Sequence, residues 1–361
     1  MQNQDFLEKL EKLRKIIAAK DADLLAIENQ NHFSWLTGGR GFIGIASTAA
    51  CASLVIGMDR VYLVSDNIEA RRLFGEQLSE NPLIEILEYP WDKPEEKQKI
   101  TDRRFSGKKI ITEQDVREEL FEIRTVLSEY DIARYREICA AAALELEEAC
   151  RSLTEGISEY EFTGELSKRF WKRNLEPVTL LVGFDERALR FRHPVPAGAK
   201  LKNYCLAAAC VRRGGLVASL TRLVSLSRDE TMMRRQEAAS YVEAVLCSHT
   251  AAGADLATVF NKGLEAYTAQ GWEGEWKYHH QGGLTGYNVR EIKALHVLHH
   301  IIRPGEAYAW NPSVEGAKSE NTSLITERGR ENLTHTGIYP YLEFEINGEK
   351  ILTEDILVLD E

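Results

Sequence analysis

The densest run of chemically capable side chains is Tyr278-His279-His280-Gln281-Gly282-Gly283-Leu284-Thr285-Gly286-Tyr287, followed by Arg290 and Glu291. Imidazoles pass protons near neutral pH and ligate metals. Three glycines in five residues let a backbone turn tightly and approach a ligand closely. On a strand, alternation would send His279 and His280 to opposite faces, so at most one would point into a given cavity. A turn beside a structural histidine has the same composition, and the run alone does not separate the two. A second group, His296, His299 and His300, falls on a helix-like stretch with no cysteine or carboxylate motif beside it, and reads as structural. Cysteines at 51, 139, 150, 205, 210 and 247 form no C-x-x-C pair and read as reduced, mostly buried thiols.

These groups need a frame, and hydrophobic periodicity outlines it. Residues 4–20 predict a helix with Phe6, Leu7, Leu10, Leu13, Ile16 and Ile17 on one face. Strand-like runs follow at Leu24–Ile27, Ala50–Ile56, Val61–Val64 and Lys109–Thr112, which predicts a small α/β domain over 1–125. The Lys-, Glu-, Asp- and Pro-rich stretch 89–106 reads as a surface connection. Over 126–361 the pattern is α+β. A long helix fits Ser128–Leu153, Ser158-x-x-Glu161 is a capping box opening the next, and two more helices fit Asp229–Thr250 and Asp255–Gln270. Strands are predicted at Tyr204–Val211, Leu216–Leu226, Ala307–Trp310, Ser323–Thr326 and Leu342–Ile346. A helix pair plus hairpin in each half fits a pseudo-duplicated fold.

Composition narrows the function classes. The 361 residues are 44% hydrophobic and 28% charged, enough for two domains with real cores. A net charge of −11 without a basic stripe argues against nucleic acid. The first twenty residues form a charged amphipathic pattern without a signal-peptide core, and no apolar run has the length of a membrane span. A cytoplasmic protein with no membrane partner is expected.

Several short motifs, in order, resemble the creatinase/prolidase/aminopeptidase P superfamily, the pita-bread enzymes, over nearly the whole chain. Asn31-His32-Phe33-Ser34-Trp35-Leu36-Thr37-Gly38 is similar to the N-x-x-Y-L-T-G segment of their N-terminal domain. Ser219-Leu220-Thr221-Arg222 resembles D-x-T-R, and His280-Gln281-Gly282-Gly283 resembles H-G-I-G. Arg303-Pro304-Gly305-Glu306 resembles the turn before the E-P-G strand, and Lys318-Ser319-Glu320-Asn321-Thr322 resembles R-x-E-D-T. The resemblance implies a pita-bread α+β domain behind a smaller α/β creatinase-type domain, and a homodimer.

Members of that superfamily that use metal hold two divalent ions on two Asp, one His and two Glu. The resemblance puts Ser219 at the second Asp and Ala208, eleven residues earlier, at the first. If Gly214-Gly215 is a two-residue turn, Arg213 faces Leu216, Cys210 faces Ser219 and Ala208 faces Thr221, so 208 and 219 become diagonal neighbours on one face. Neither is a carboxylate. Asn311-Pro312 stands where the family has Glu-Pro, leaving His280 and Glu320 as retained positions. A methyl, a hydroxyl and a neutral amide do not hold hard dications, so the expectation is no metal and no cofactor, with Ala208, Ser219 and Asn311 as degenerate ligand positions.

Creatinase hydrolyses a C–N bond without metal, and in this family a histidine precedes the metal hairpin. His193, fifteen residues before Ala208, is therefore the first candidate for general acid/base, with His280 and Glu320 as further catalytic candidates. Arg192 and Arg290 are candidates to grip a substrate carboxylate, Asn311 to hydrogen-bond the substrate and Tyr287 to wall it in; Glu320 would pair with a substrate cation. Three readings stay open. They are a metal-independent C–N hydrolase of a small polar or short-peptide substrate, an inactive peptide- or metabolite-binding relative, and a metal-dependent Xaa-Pro peptidase.

Overall fold

A computed structural model describes residues 2–360, and the chain separates into two compact units, Met1–Tyr130 and Asp131–Glu361. In the first, helix α1 (Gln2–Ala19) buries Phe6, Leu10, Leu13, Ile16 and Ile17 but leaves Leu7 exposed, so the apolar face is narrower than the spacing predicts. It is followed by β1 (Leu24–Asn29), α2 (Gln30–Thr37), β2 (Ala49–Gly57), β3 (Val61–Asp66), a turn of helix α3 (Ala70–Arg72), β4 (Ile84–Tyr89), α4 (Glu95–Arg104), β5 (Ile110–Thr112) and α5 (Arg117–Thr125). The strands form one mixed sheet in the order β4-β3-β2-β1-β5. Stretch 89–106 is more than a connection, since α4 occupies most of it. That helix buries no residue, and so carries no apolar stripe for periodicity to detect.

The second unit opens with α6 (Glu129–Arg151) and α7 (Glu159–Lys172), the latter closed at its start by the reciprocal Ser158/Glu161 capping box. Strand β6 (Glu176–Phe184), the short helix α8 (Glu186–Arg190), β7 (Tyr204–Arg213) and β8 (Leu216–Ser225) follow. Next come α9 (Glu230–His249) and α10 (Leu256–Ala269), each capped by an aspartate, Asp229 and Asp255. The chain ends in β9 (Gly282–Thr285), β10 (Ala307–Trp310), β11 (Ser313–Val314), β12 (Ala317–Lys318), β13 (Asn321–Thr326), β14 (Gly329–Asn332), β15 (Tyr341–Ile346), β16 (Glu349–Glu354) and β17 (Ile356–Val358). Two four-stranded sheets result, β17-β8-β7-β6 and β14-β13-β10-β9. Each follows a helix pair, as a duplicated plan would have it.

The β7–β8 hairpin has the register its glycines imply. Arg213 pairs with Leu216, Cys210 with Ser219 and Ala208 with Thr221. Gly214 and Gly215 have φ of 54° and 89°, the left-handed pair a two-residue hairpin turn requires. The two sheets are joined through polar contacts between β8 and β13. Thr322 Oγ1 accepts from the Ser219 amide at 3.0 Å and donates to the Ser219 carbonyl at 2.8 Å, while the Thr221 amide donates to the Glu320 carbonyl at 3.1 Å. These contacts hold Glu320 against the hairpin face that carries Ala208 and Ser219. His296, His299 and His300 are not on a helix. His299 pairs with Asp255 and His300 with Glu306, which makes both structural. Among the described residues no helix is long and apolar enough to cross a membrane. The six cysteines are free thiols, and Cys139, Cys150, Cys205 and Cys247 are buried.

Candidate active site

A cavity of about 610 Å³ opens in the second unit between the β6–β7 face and the loops around β9 and β12. Thr179, Leu181 and Ala208 form one wall, His193 and His280 another, and Arg290, Lys293, Asn311, Lys318 and Glu320 the polar end.

His193 reaches the cavity because its loop is fixed at several points. Gly183 on β6 has no side chain, and a Cβ there would come within 2.6 Å of the Pro194 ring, so Pro194 packs directly over the strand. The Val182 amide donates to the Pro194 carbonyl at 3.0 Å. Below the loop, the buried Glu159 accepts from the Phe184 and Ala197 amides and from Arg187 Nε. His193 itself stays exposed at the rim. Its Nε2 lies 3.0 Å from Nε2 of His279, whose Nδ1 lies 3.4 Å from Ser313 Oγ.

His279 was not singled out by alternation, yet both adjacent histidines turn toward His193, with ring centroids 4.8 Å and 6.1 Å away. The strand begins only at Gly282, so alternation does not apply at 279 and 280. Gln281 fixes this loop, accepting from Tyr267 at 2.6 Å and donating to the His279 and Trp276 carbonyls. The glycines that follow serve close approach to protein, not to ligand. A Cβ on Gly282 would lie 2.1 Å from the Ala309 carbonyl oxygen, and one on Gly283 2.3 Å from that of Ile292. Burial and then the positive charge of Lys318 push His193 below its ordinary range. Burial, Lys318 and the neighbouring imidazoles push His279 down to about 2. Burial, Arg290 and Lys318 push His280 down to about 4. All three shifts favour the neutral imidazole, the form a general base needs.

Glu320 stands differently from the expectation. It is 3% exposed, with Oε1 3.0 Å from Arg290 Nη2 and Oε2 2.7 Å from Lys318 Nζ and 2.8 Å from Thr221 Oγ1. Burial pushes its carboxyl up, but Lys318 and Arg290 outweigh this and hold it at about 2. Both oxygens are taken, so it neither carries protons near neutrality nor has room for a substrate cation. Its role is to position two cations. Lys318 is the residue the sequence reading missed. In an extended segment residues i and i+2 share a face, which was the available signal that it accompanies Glu320.

Arg290 reaches back across the hairpin face, Nη1 donating to Ser219 Oγ at 3.2 Å and to the Val289 carbonyl at 2.6 Å, while its buried Nε has no partner. Three of its five N–H groups are thus committed to Ser219, Val289 and Glu320, which leaves the Nε–H and one Nη2–H. Asn311 lines the cavity, 3% exposed, with Oδ1 unpartnered. Two expected substrate contacts lie elsewhere. Arg192 pairs with Glu275 at 2.9 Å and lines a separate surface depression. Tyr287 is core, 1% exposed, its hydroxyl donating to Asp131 at 2.8 Å.

The donor set does not fit a dinuclear metal centre. Ala208 and Ser219 offer a methyl and a hydroxyl, Asn311 a neutral amide, and the one carboxylate already holds a guanidinium and an ammonium. Among the described residues the cluster close enough to share an ion is His193, His279 and His280, with ligand nitrogens within 4.8 Å of one another. Burial is the main cause that keeps those imidazoles unprotonated, and the positive charge of Lys318, which adds to it, also opposes a dication there.

No family model matches the sequence, and no curated protein matches it. Solved structures do match. The prolidase of Pyrococcus horikoshii OT3 has a TM-score of 0.73 at 16% identity, over 91% of this chain and 98% of its own. Dipeptidase PepE of Mycobacterium ulcerans has a TM-score of 0.74 at 14% identity, over 93% and 97%. A Glu383Ala variant of Escherichia coli aminopeptidase P in complex with substrate has a TM-score of 0.68 at 14% identity, over 93% and 96%. At such identities the likeness establishes the fold. The chain has the pita-bread architecture of these enzymes together with their smaller N-terminal domain.

Proposed function

We propose that the protein hydrolyses a C–N bond in a small polar molecule without a metal ion, using His193 as proton carrier. The observation that carries this reading is the contact between His193 Nε2 and His279 Nε2 at 3.0 Å on the rim of a cavity with cationic groups at its polar end. The fold shared with enzymes named as prolidases, Xaa-Pro dipeptidases and aminopeptidase P supports a hydrolytic reaction of this class.

The chemistry follows from one shared proton. Two neutral imidazoles 3.0 Å apart hold a single hydrogen between their Nε2 atoms. When it resides on His193 and is donated to His279, His193 Nδ1 keeps its lone pair and acts as base; in the opposite tautomer Nδ1 carries the hydrogen and acts as acid. Water, with a pKa of about 15.7, needs such a base where no metal lowers that value. His193 takes the proton as the water oxygen attacks the substrate carbon, then returns it to the departing nitrogen as the C–N bond breaks. One positioned base supplies roughly 10²–10⁴-fold, which favours a polarised carbon or good leaving group over an ordinary peptide. His279 is a positioning residue, oriented by Ser313.

The test is a turnover screen of amides, ureido compounds, amidines and proline dipeptides in the presence of EDTA. Turnover is expected to survive the chelator and to disappear in His193→Ala. In His279→Gln, kcat should fall and its pH dependence should move, because a group that only packed would leave the pH profile in place. Turnover confined to metal-supplemented proline dipeptides overturns the reading. So does a protein that binds small molecules and turns none over.

A further inference from the structure

The charge of the cavity has changed sign relative to a carboxylate-lined metal site, and this bears on what it admits. Arg290, Lys293 and Lys318 line it against Glu320, the one carboxylate among its lining residues. Glu320 is spent on two of those cations and on Thr221, so its charge is not available to a ligand. Three buried polar atoms on lining residues have no partner: Nε of Arg290, Nδ1 of His280 and Oδ1 of Asn311. Arg290 and Asn311 are nearly wholly buried, their side chain and residue 5% and 3% exposed. Native structures rarely leave buried polar atoms unsatisfied, and a ligand is one way to satisfy them. Leu181, Ala208 and Val289 supply an apolar wall, and the volume of about 610 Å³ lies within the range of small-molecule sites.

We propose that this cavity recognises an organic anion without a free ammonium group, such as an N-acylated or ureido acid, its negative end toward Arg290, Lys293 and Lys318 and its apolar part on Leu181, Ala208 and Val289. A dipeptide with a free N-terminus brings an ammonium into a cavity with no unoccupied carboxylate, where three cations against the one ionised carboxylate leave a net positive charge. An acylated nitrogen removes that charge and supplies an N–H or C=O for Asn311 and His280. The inference rests on the hydrolase reading only for which bond is cut, because recognition is measurable without turnover.

The experiment compares three probes of similar size by calorimetry and thermal shift on the full chain: N-acetyl-L-alanine (anion), N-acetyl-L-alaninamide (neutral) and glycyl-L-alanine (zwitterion). The expected order puts the anion first by roughly tenfold or more, the worth of one charge-assisted hydrogen bond of about 1.5–3 kcal/mol. Its affinity should fall as salt rises and weaken roughly tenfold in Lys293→Gln, an exposed position whose replacement leaves the fold in place. Preference for the amide or the zwitterion, affinity indifferent to Lys293→Gln, or no binding by the anion at millimolar concentration overturns the proposal. An anion that binds while no compound of the turnover screen is hydrolysed leaves this inference standing and removes the hydrolase reading; a cationic compound that is hydrolysed does the reverse.

Discussion

Arg290 and Glu320 form a buried ion pair, Nη2 to Oε1 at 3.0 Å, and the same guanidinium rests on Ser219 Oγ. Glu320 and Ser219 are two positions where the superfamily resemblance places metal-ligating carboxylates. An arginine therefore bridges side chains that a dication would otherwise share, and Lys318 adds a second positive charge on the far oxygen of Glu320. Both oxygens of Glu320 are thus held by cations that the chain itself supplies.

Removing the countercharge should be costly. Glu320→Gln leaves Arg290 and Lys318 buried without an anion, and breaking such a pair costs about 3–5 kcal/mol. Urea unfolding should show this as a lower midpoint, and the double variant Glu320→Gln with Lys318→Met should recover part of it. Equal stability of single variant and wild type would mean that solvent already screens the pair.

Acid should destabilise the fold through the histidine cluster. His279 and His280 titrate at about 2 and about 4 in the folded chain, against 6.5 when unfolded. As pH falls below 6.5 the unfolded chain binds protons that the folded one refuses, so stability present above that pH is lost on acidification. The slope is about 1.4 kcal/mol per pH unit per group. Glu243, pushed up to about 7 by burial, works in the opposite sense over the same range. The clean measurement is the difference between His279→Asn and wild type from pH 7 to 5, where the variant's stability should fall less steeply by about one proton.

A second buried pair should resist conservative exchange. Arg222 and Glu147 are both fully buried 2.8 Å apart, and Arg222 also donates to the carbonyls of Thr221 and Thr334 and to Asn321 Oδ1. Lysine keeps the charge but cannot place donors in that fork. Arg222→Lys should therefore lose about 3 kcal/mol or more, close to the loss for Arg222→Met, as read by thermal unfolding.

Two adjacent glycines should be irreplaceable. Gly282 and Gly283 have φ of 102° and 139°, and a Cβ on either meets backbone oxygen at 2.1 Å or 2.3 Å. Gly282→Ala and Gly283→Ala should each cost more than about 3 kcal/mol or abolish soluble expression. Gly164 in α7, with nothing within 4 Å of its would-be Cβ, is the control. Gly164→Ala should gain about 0.5–1 kcal/mol.

How much of this was legible in the sequence depends on how local each cause is. The β7–β8 register follows from Gly214-Gly215 and a period of two, and the α7 cap from Ser158 and Glu161; both are settled within a few residues. Arg192 and Tyr287 were misplaced because their partners, Glu275 and Asp131, lie 83 and 156 positions away. Lys318 was visible in its motif, but its weight depends on Arg290 approaching from β9's loop, which no spacing rule reports. His279 was hidden by a strand assumption that fails just before Gly282.

The most direct measurement is metal content at equilibrium. Purified protein is dialysed to equilibrium against micromolar Mn(II), Co(II) or Zn(II) and analysed for bound ion, beside Arg290→Ala. With Arg290 and Lys318 already on Glu320, the expected result is well under one ion per chain for the wild type, at every pH where the fold is intact. Two tightly bound ions per chain, displaced by chelator together with turnover, would contradict it.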